Sequence, residues 1–370
     1  MTRPTRAVIN WSHLRHNYEL VKATGTGRTY AVIKANGYGH GLLNCARALS
    51  GADGFAVACV DEAMVLREAG IQRKIVVLQG AYDGAEWKLA AEHNIQLVVH
   101  HEQQLDERDS ITLPATVGVW LKINSGMNRV GFRPEQADAV LARISADDKL
   151  DLRHVMTHFA AADEADSGSF AEQVALMSSR EWPVSLSLSN SAALFRGTGI
   201  EEGVRRPGIC LYGSSPMPHK TAAELGLKAV MSLESRVIST HKVPAGEAVG
   251  YGADWRAERD TRVGVITVGY GDGYPRHAPA GTPVLVDGVE CPLIGRVSMD
   301  MITVDLTDHP LAHIGSHVEL WGDHLSVDRI AALCGTISYE LFCQLTPRVK
   351  RVARELPSDT QNTPLAAARV

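Results

Sequence analysis

A chain of 370 residues outgrows one ordinary hydrophobic core, so two domains are the natural expectation. Hydrophobic residues at 45% and charged ones at 21% give the mix of a soluble globular protein. A net charge of −5 leaves no general basic field to attract nucleic acid or anionic lipid.

The six cysteines (Cys45, Cys59, Cys210, Cys291, Cys334, Cys343) are scattered, with no C-x-x-C pair. Disulfide scaffolds and zinc ribbons are poor readings of that pattern, and reduced thiols in a cytoplasmic protein are the better one. The N-terminus MTRPTRAVIN carries two arginines without an apolar stretch behind them. No run reaches the roughly 18 apolar residues of a membrane span, which also reads as cytoplasmic.

From residue 5 to about 225, short β-like runs alternate with amphipathic helical ones. The β-like runs are RTYAVIKA, GFAVACV, KIVVLQG, IQLVVH, ATVGVWLKI, DLRHVMTHF and VSLSLSN. Helical patterns lie between them, among them Ser12 to Lys22, Val60 to Gly70 and Pro134 to Ile144, with Ser12 as an N-cap and Gly70 as a stop. Seven or eight such units predict an α/β fold with an N-terminal (β/α)8 TIM-type barrel, residues 1–226, in preference to an open doubly wound sheet. After about 226, Val/Ile/Thr runs broken by Gly, Pro and Asp take over: SRVIST, VGVITVG, TPVLVDG, MITVDL and HVELWG. A mostly β C-terminal domain over 227–370 is expected, with one helix from Val327 to Cys334 and a frayed tail after about 356.

Lys34 closes the run Tyr30-Ala-Val-Ile and opens Ala-Asn-Gly-Tyr-Gly-His-Gly. A lysine that ends a barrel strand sits on the catalytic face, where it either snorkels to water or serves as an amine able to form a Schiff base. The glycines at 37, 39 and 41 let backbone pass close to a ligand, and Tyr38 places a phenol nearby. Arg205-Arg206-Pro207-Gly208-Ile209 falls late in the barrel, where this architecture tends to bind phosphate. Gly208 and Ile209 offer backbone N–H groups there, and Asn190 and Ser191 further donors, although R-P-G is also an ordinary turn and N-S an ordinary cap. His154-Val-Met-Thr-His158 has a zinc-like spacing but lacks the glutamate of H-E-x-x-H and looks like a strand, so no metal is expected. Gly269 to Gly273 spells G-x-G-x-G, but Pro275 follows instead of a helix, so a dinucleotide site is not expected.

The ordered set of segments resembles the alanine racemase family. They are YAVIKANGYGHG (30–41), LKINSGMNRVGF (121–132), MTHFAAADE (156–164), LSNSAA (188–193), VRRPGICLYG (204–213), VGYGADW (249–255), GYGDGYPR (269–276), GRVSMDM (295–301) and TISYELFC (336–343). The resemblance implies an isomerase that binds pyridoxal 5'-phosphate, interconverts L- and D-alanine and works as a homodimer. Lys34 is then the cofactor lysine and the base on one face of the α-carbon, and Tyr251 of the partner subunit the base on the other. Arg206 faces the pyridine nitrogen, with His158 bonded behind it. An arginine does not readily give up a proton, so the ring stays a restrained electron sink. Tyr38, Ser191, Gly208, Ile209 and Tyr339 hold the phosphate with Asn190 nearby, Arg129 lies by the cofactor oxygen and the substrate carboxylate, and the backbone N–H of the partner's Met299 takes that carboxylate too. Tyr251 and Tyr339 narrow the entrance to alanine-sized side chains.

Two positions depart from common family patterns. Asn124 stands where many members have aspartate, which puts carbamylation of the matching Lys122 in doubt, and Ser298 stands where several have cysteine. The rival readings are a non-catalytic pyridoxal-phosphate carrier, a barrel-type decarboxylase and a racemase of serine. A carrier has no use for Tyr251 and Met299, and a decarboxylase would want a carboxylate in place of Arg206.

Overall fold

The computed structural model describes residues 3–165 and 167–355, so the tail expected to fray lies outside the described residues. Two compact units emerge. One runs from Arg15 to Leu211 and resumes over Ser215–Leu227; the other takes the residues up to Leu14, Tyr212–Ser214 and those from Lys228 on.

The first unit is a ring of eight parallel strands: Arg28–Val32, Gly54–Val57, Lys74–Val77, Gln96–Val99, Val117–Lys122, Leu150–Met156, Leu186–Ser187 and Val204–Arg205. Each strand pairs with the next, and the last pairs back on the first with Arg28 opposite Val204. Gly203 N–H donates to Leu186 O (2.9 Å) and Arg206 N–H to Ser189 O (3.0 Å), which joins the last two strands and shuts the barrel. Phe55, Val57, Ile75, Val77, Leu97, Val99, Val119 and Leu121 are fully buried, as expected of strands covered on both faces.

Helices return the chain between strands, for example Val60–Glu68, which ends before Gly70 in the left-handed region, and Ala137–Ala146 after a short 3-10 turn at Pro134–Gln136. The first helix is Trp11–Lys22, so Ser12 is not its cap. Asn10 Oδ1 accepts from the N–H groups of Ser12 (3.1 Å) and His13 (3.3 Å), the work of an N-cap.

The second unit is built on one mostly antiparallel sheet. Its 13-residue strand Met231–Val243 pairs at its start with Arg6–Asn10 and His317–Trp321, and at its end with Thr261–Ile266. Six strands thereby close on themselves, while Arg6–Asn10 and Lys350–Glu355 extend the sheet. The N-terminal residues were expected in the barrel; they belong instead to this sheet, because Arg6–Asn10 finds its open edges there. A helix covers Val327–Leu333, and a second, Ser338–Cys343, follows it. Among the described residues, no helix is long and apolar enough to cross a membrane.

Candidate active site

In the barrel unit, the strand Arg28–Val32 runs into a turn of unusual hand. Ala35, Asn36, Gly37, Tyr38 and Gly39 all take φ between 50° and 77°, a left-handed helical turn immediately after Lys34. Left-handed helix costs an ordinary residue roughly 1–2 kcal/mol, so the penalties of the three non-glycines, Ala35, Asn36 and Tyr38, need compensation. Gly37 N–H bonds to Ile33 O (2.8 Å), Gly39 N–H to Ala35 O (3.0 Å) and Gly41 N–H to Asn36 O (2.8 Å). Asn36 Oδ1 accepts from Leu42 N–H (2.8 Å), and Glu62 bridges Ala35 N–H (2.6 Å) and Ala58 N–H (2.8 Å). Strain held by that many bonds fixes the direction in which Lys34 leaves the strand.

Around the same rim the barrel gathers cations. Lys122 ends its strand buried, and burial, with Arg206, Arg129 and Lys34 alongside, pulls its ammonium down to about 8. Burial and the same cations push His158 well below the ordinary imidazole value, so it is neutral at pH 7. Arg206 is 4% exposed; burial pulls it down to about 10, opposed by Glu202, and it stays charged at pH 7. Its guanidinium donates to Ser187 Oγ, to Thr157 O (2.7 Å) and to Leu188 O (3.3 Å). Those bonds occupy three of five N–H donors and leave two for a ligand. His158 was expected to bond directly behind Arg206; here the two meet through charge, while Arg206 bonds to strand ends.

Arg129 is exposed on a loop folded by Asn124, whose Oδ1 accepts from Gly126 N–H (3.2 Å) and Asn128 N–H (3.0 Å). Lys122, Asn124, Arg129, Thr157 and His158 line one small cavity. Below it, buried Gln173 donates to Ser125 Oγ (2.9 Å) and His158 O (3.2 Å), and accepts from Ala160 N–H (2.9 Å).

A second group lies where the last two barrel strands end. Gly208 N–H donates to Ser191 Oγ (2.8 Å), and Ile209 starts a 3-10 turn. A Cβ on Gly208 would stand 2.6 Å from Tyr38 Oη, so the missing side chain is what admits the phenol. Asn190 Oδ1 caps the helix Ser191–Arg196 through Ala193 N–H (3.0 Å). His154, by contrast, bonds Ser185 Oγ (2.9 Å) and packs edge-on against Trp120, which makes it part of the barrel filling. The anion-accepting groups are thus a hydroxyl, a phenol and backbone amides beside a set of cations, a donor set that fits a phosphate-bearing cofactor and a carboxylate substrate.

The β-rich unit carries the other expected residues on its surface. Tyr251 is 67% exposed on a tight turn between Gly250 and Gly252, Met299 is 52% exposed and Tyr339 36%. The G-x-G-x-G segment is a structural turn there: Asp272 is fully buried and accepts from Gly269 N–H (2.9 Å) and Arg3 Nη2 (2.6 Å). Glu62, Gln173, Glu202, Thr157 and Ser187 escaped the sequence reading, since nothing in their neighbourhoods sets a lone buried Glu, Gln, Thr or Ser apart.

A closed (β/α)8 barrel with a cationic rim and a hydroxyl-and-amide cup, paired with a β-rich unit, defines a barrel protein made for small anionic ligands. The chain belongs to the alanine racemase family: the model of that family's N-terminal domain matches residues 9–216 and that of its C-terminal domain residues 230–353. It is 46% identical to the alanine racemase of Pseudomonas fluorescens over 93% of this chain and 97% of that protein. It is 47% identical to the catabolic alanine racemase of Pseudomonas aeruginosa over 95% of this chain and 99% of that protein. The crystal structure of the biosynthetic alanine racemase from Pseudomonas aeruginosa superposes with a TM-score of 0.93 at 43% identity, covering 96% of this chain and 100% of that one.

Proposed function

We propose that the protein is a cytoplasmic, homodimeric alanine racemase that uses pyridoxal 5'-phosphate, with Lys34 and the partner subunit's Tyr251 as its two bases. The observation that carries this reading is the field Lys34 shares with Lys122, Arg129 and Arg206 around a neutral His158, in a chain of this family. Bound pyridoxal phosphate supplies an electron sink that acidifies the α-proton of an attached amino acid.

Ser191, Tyr38 and the backbone of Gly208 and Ile209 hold the phosphate, and Tyr339 joins them on the strength of family membership alone. Arg206 would give one of its two remaining N–H donors to the pyridine nitrogen and, being charged at pH 7, would offer that atom a hydrogen bond without a proton. Held by an arginine and not a carboxylate, the ring would supply only a moderate electron sink, and a proton removed from the α-carbon would tend to return there. Arg129 and the backbone N–H of the partner's Met299 orient the substrate carboxylate. Lys34 Nζ moves the proton on one face, and the phenolic oxygen of the partner subunit's Tyr251 on the other; inversion needs one base on each side. His158, neutral and half-buried, would accept or donate a hydrogen bond beside Arg206 without adding a charge.

The purified protein is expected to be yellow, to interconvert L- and D-alanine, and to carry the cofactor on Lys34 after borohydride reduction. Recovery of the reduced cofactor on another lysine overturns the assignment. Tyr251→Phe is expected to slow α-deuterium exchange far more with one enantiomer than with the other, and equal loss with both rules out two bases. Mixing Lys34→Ala with Tyr251→Phe subunits tests the shared site through recovered activity. Assays across alanine, serine and larger amino acids fix the substrate range. Whether D-alanine is made for peptidoglycan or consumed catabolically is read from growth of a deletion strain with and without D-alanine.

A further inference from the structure

Glu202, a buried carboxylate that the proposed chemistry does not touch, lies just ahead of the strand Val204–Arg205 that leads into Arg206. Its Oε2 accepts from the N–H groups of Leu188 (2.7 Å) and Ser189 (2.8 Å), and its Oε1 from Ser189 Oγ. The same peptide group is bound from its other end: Leu188 O accepts from Arg206 Nη2 (3.3 Å). The Leu188–Ser189 peptide thus stands between guanidinium and carboxylate, with its carbonyl toward the cation and its N–H toward the anion. Arg206 N–H in turn donates to Ser189 O (3.0 Å), so Arg206 and Glu202 grip two successive residues from opposite sides.

We infer that Glu202 is a positioning residue for Arg206, acting through the Leu188–Ser189 peptide to fix the guanidinium and keep it charged among the cations of the rim. The need for a counter-charge is visible in the surroundings. Arg206 lowers buried Lys122, and together with Lys122, Arg129 and Lys34 it lowers His158, while Glu202 is the carboxylate that acts on Arg206 itself. A peptide dipole aligned between two opposite charges strengthens both hydrogen bonds in a dry interior. The inference rests on the proposed role of Arg206 at the cofactor nitrogen, but its test need not.

The test follows the titration of the Arg206 guanidinium by arginine 13Cζ NMR in the purified holoprotein, assigned with Arg206→Lys. Glu202→Gln keeps the size and most of the hydrogen-bonding capacity while removing the charge. The guanidinium midpoint is expected to fall by roughly one pH unit, the scale of one charge acting across a peptide group at an effective dielectric near 20. The alkaline limb of kcat is expected to fall with it, and Glu202→Asp, which keeps the charge, to recover most of the fall. An unmoved midpoint in Glu202→Gln shows a mere structural clamp and overturns the inference, as do equal falls in Gln and Asp. Should the Gln variant not fold, the Asp variant decides: a fall well short of one pH unit supports the inference, and a fall of a full unit despite the retained charge overturns it. Failure of the wild-type protein to racemise alanine would overturn the proposed function and leave the NMR result standing.

Discussion

Gly208→Ala tests the packing of the cup most directly. Gly208 lies outside the left-handed region, so alanine meets no backbone penalty and any loss must come from space. The new Cβ would stand 2.6 Å from Tyr38 Oη and 3.3 Å from its Cζ, against the 3.4 Å where ordinary contact begins. The phenol must therefore retreat by about 0.8 Å, and Tyr38 is only 7% exposed. Overpacking of that kind costs about 1–3 kcal/mol, offset in part by the lower chain entropy of alanine, about 0.4–1 kcal/mol. A net loss of about 1–2 kcal/mol lowers Tm by roughly 2–8 °C for a unit of this size. Thermal unfolding reads the loss, and cofactor bound per subunit is expected to drop with it. Placing Gly208→Ala in a Tyr38→Phe background removes the clashing oxygen and should recover about 1 kcal/mol, seen as non-additivity in the double-mutant cycle. An unchanged Tm for Gly208→Ala, or the same penalty in both backgrounds, refutes the steric reasoning.

Three further outcomes follow from polar side chains of the barrel unit. Gln173→Leu strands Ala160 N–H and His158 O and leaves Ser125 Oγ only its bond to Thr157 Oγ1 (2.6 Å), and is expected to cost about 2–4 kcal/mol in denaturant unfolding; a loss below about 1 kcal/mol would mean that water replaces the amide. Burial holds His154 down at about 4, below its unfolded value, so protonation favours the unfolded chain. Its contribution is complete above about pH 6.5 and is lost as pH falls toward 4, so His154→Gln should flatten the decline of stability in that window, and an unaltered slope speaks against it. Asn36→Gly keeps the left-handed conformation and loses only the bond to Leu42 N–H, whereas Asn36→Ala loses both. The alanine variant is expected to be less stable by roughly 1 kcal/mol, and the reverse order would remove backbone strain from the account.

Most of the barrel was legible because its strands are short Val/Ile/Leu runs covered on both faces, and seven of the eight appear in the sequence as such runs. The eighth, Val204–Arg205, is two residues long and has no run to show; ring closure at Gly203 and Arg206 creates it. Arg6–Asn10 fell within the span assigned to the barrel for a related reason: five residues carry no label for the sheet they join, and the open edges beside Met231–Val243 and Lys350–Glu355 made that choice. Asn10 took the cap from Ser12 because its side-chain oxygen reaches two free N–H groups of the first turn at once.

The sequence by itself determined the chemical cast: Lys34 at a strand end, Arg206 before a Pro-Gly turn, Tyr251 between glycines, and the order of motifs that places the chain in its family. Such groups are visible because their residue types are costly or unusual where they stand. Only the tertiary structure decided how they are held. A left-handed turn bonded to Glu62 aims Lys34, burial with help from nearby cations keeps His158 neutral, and Glu202 meets Arg206 across a peptide from a neighbouring strand. Those effects depend on distances of a few ångströms between strands far apart in the chain, and no local pattern of residue types records such distances.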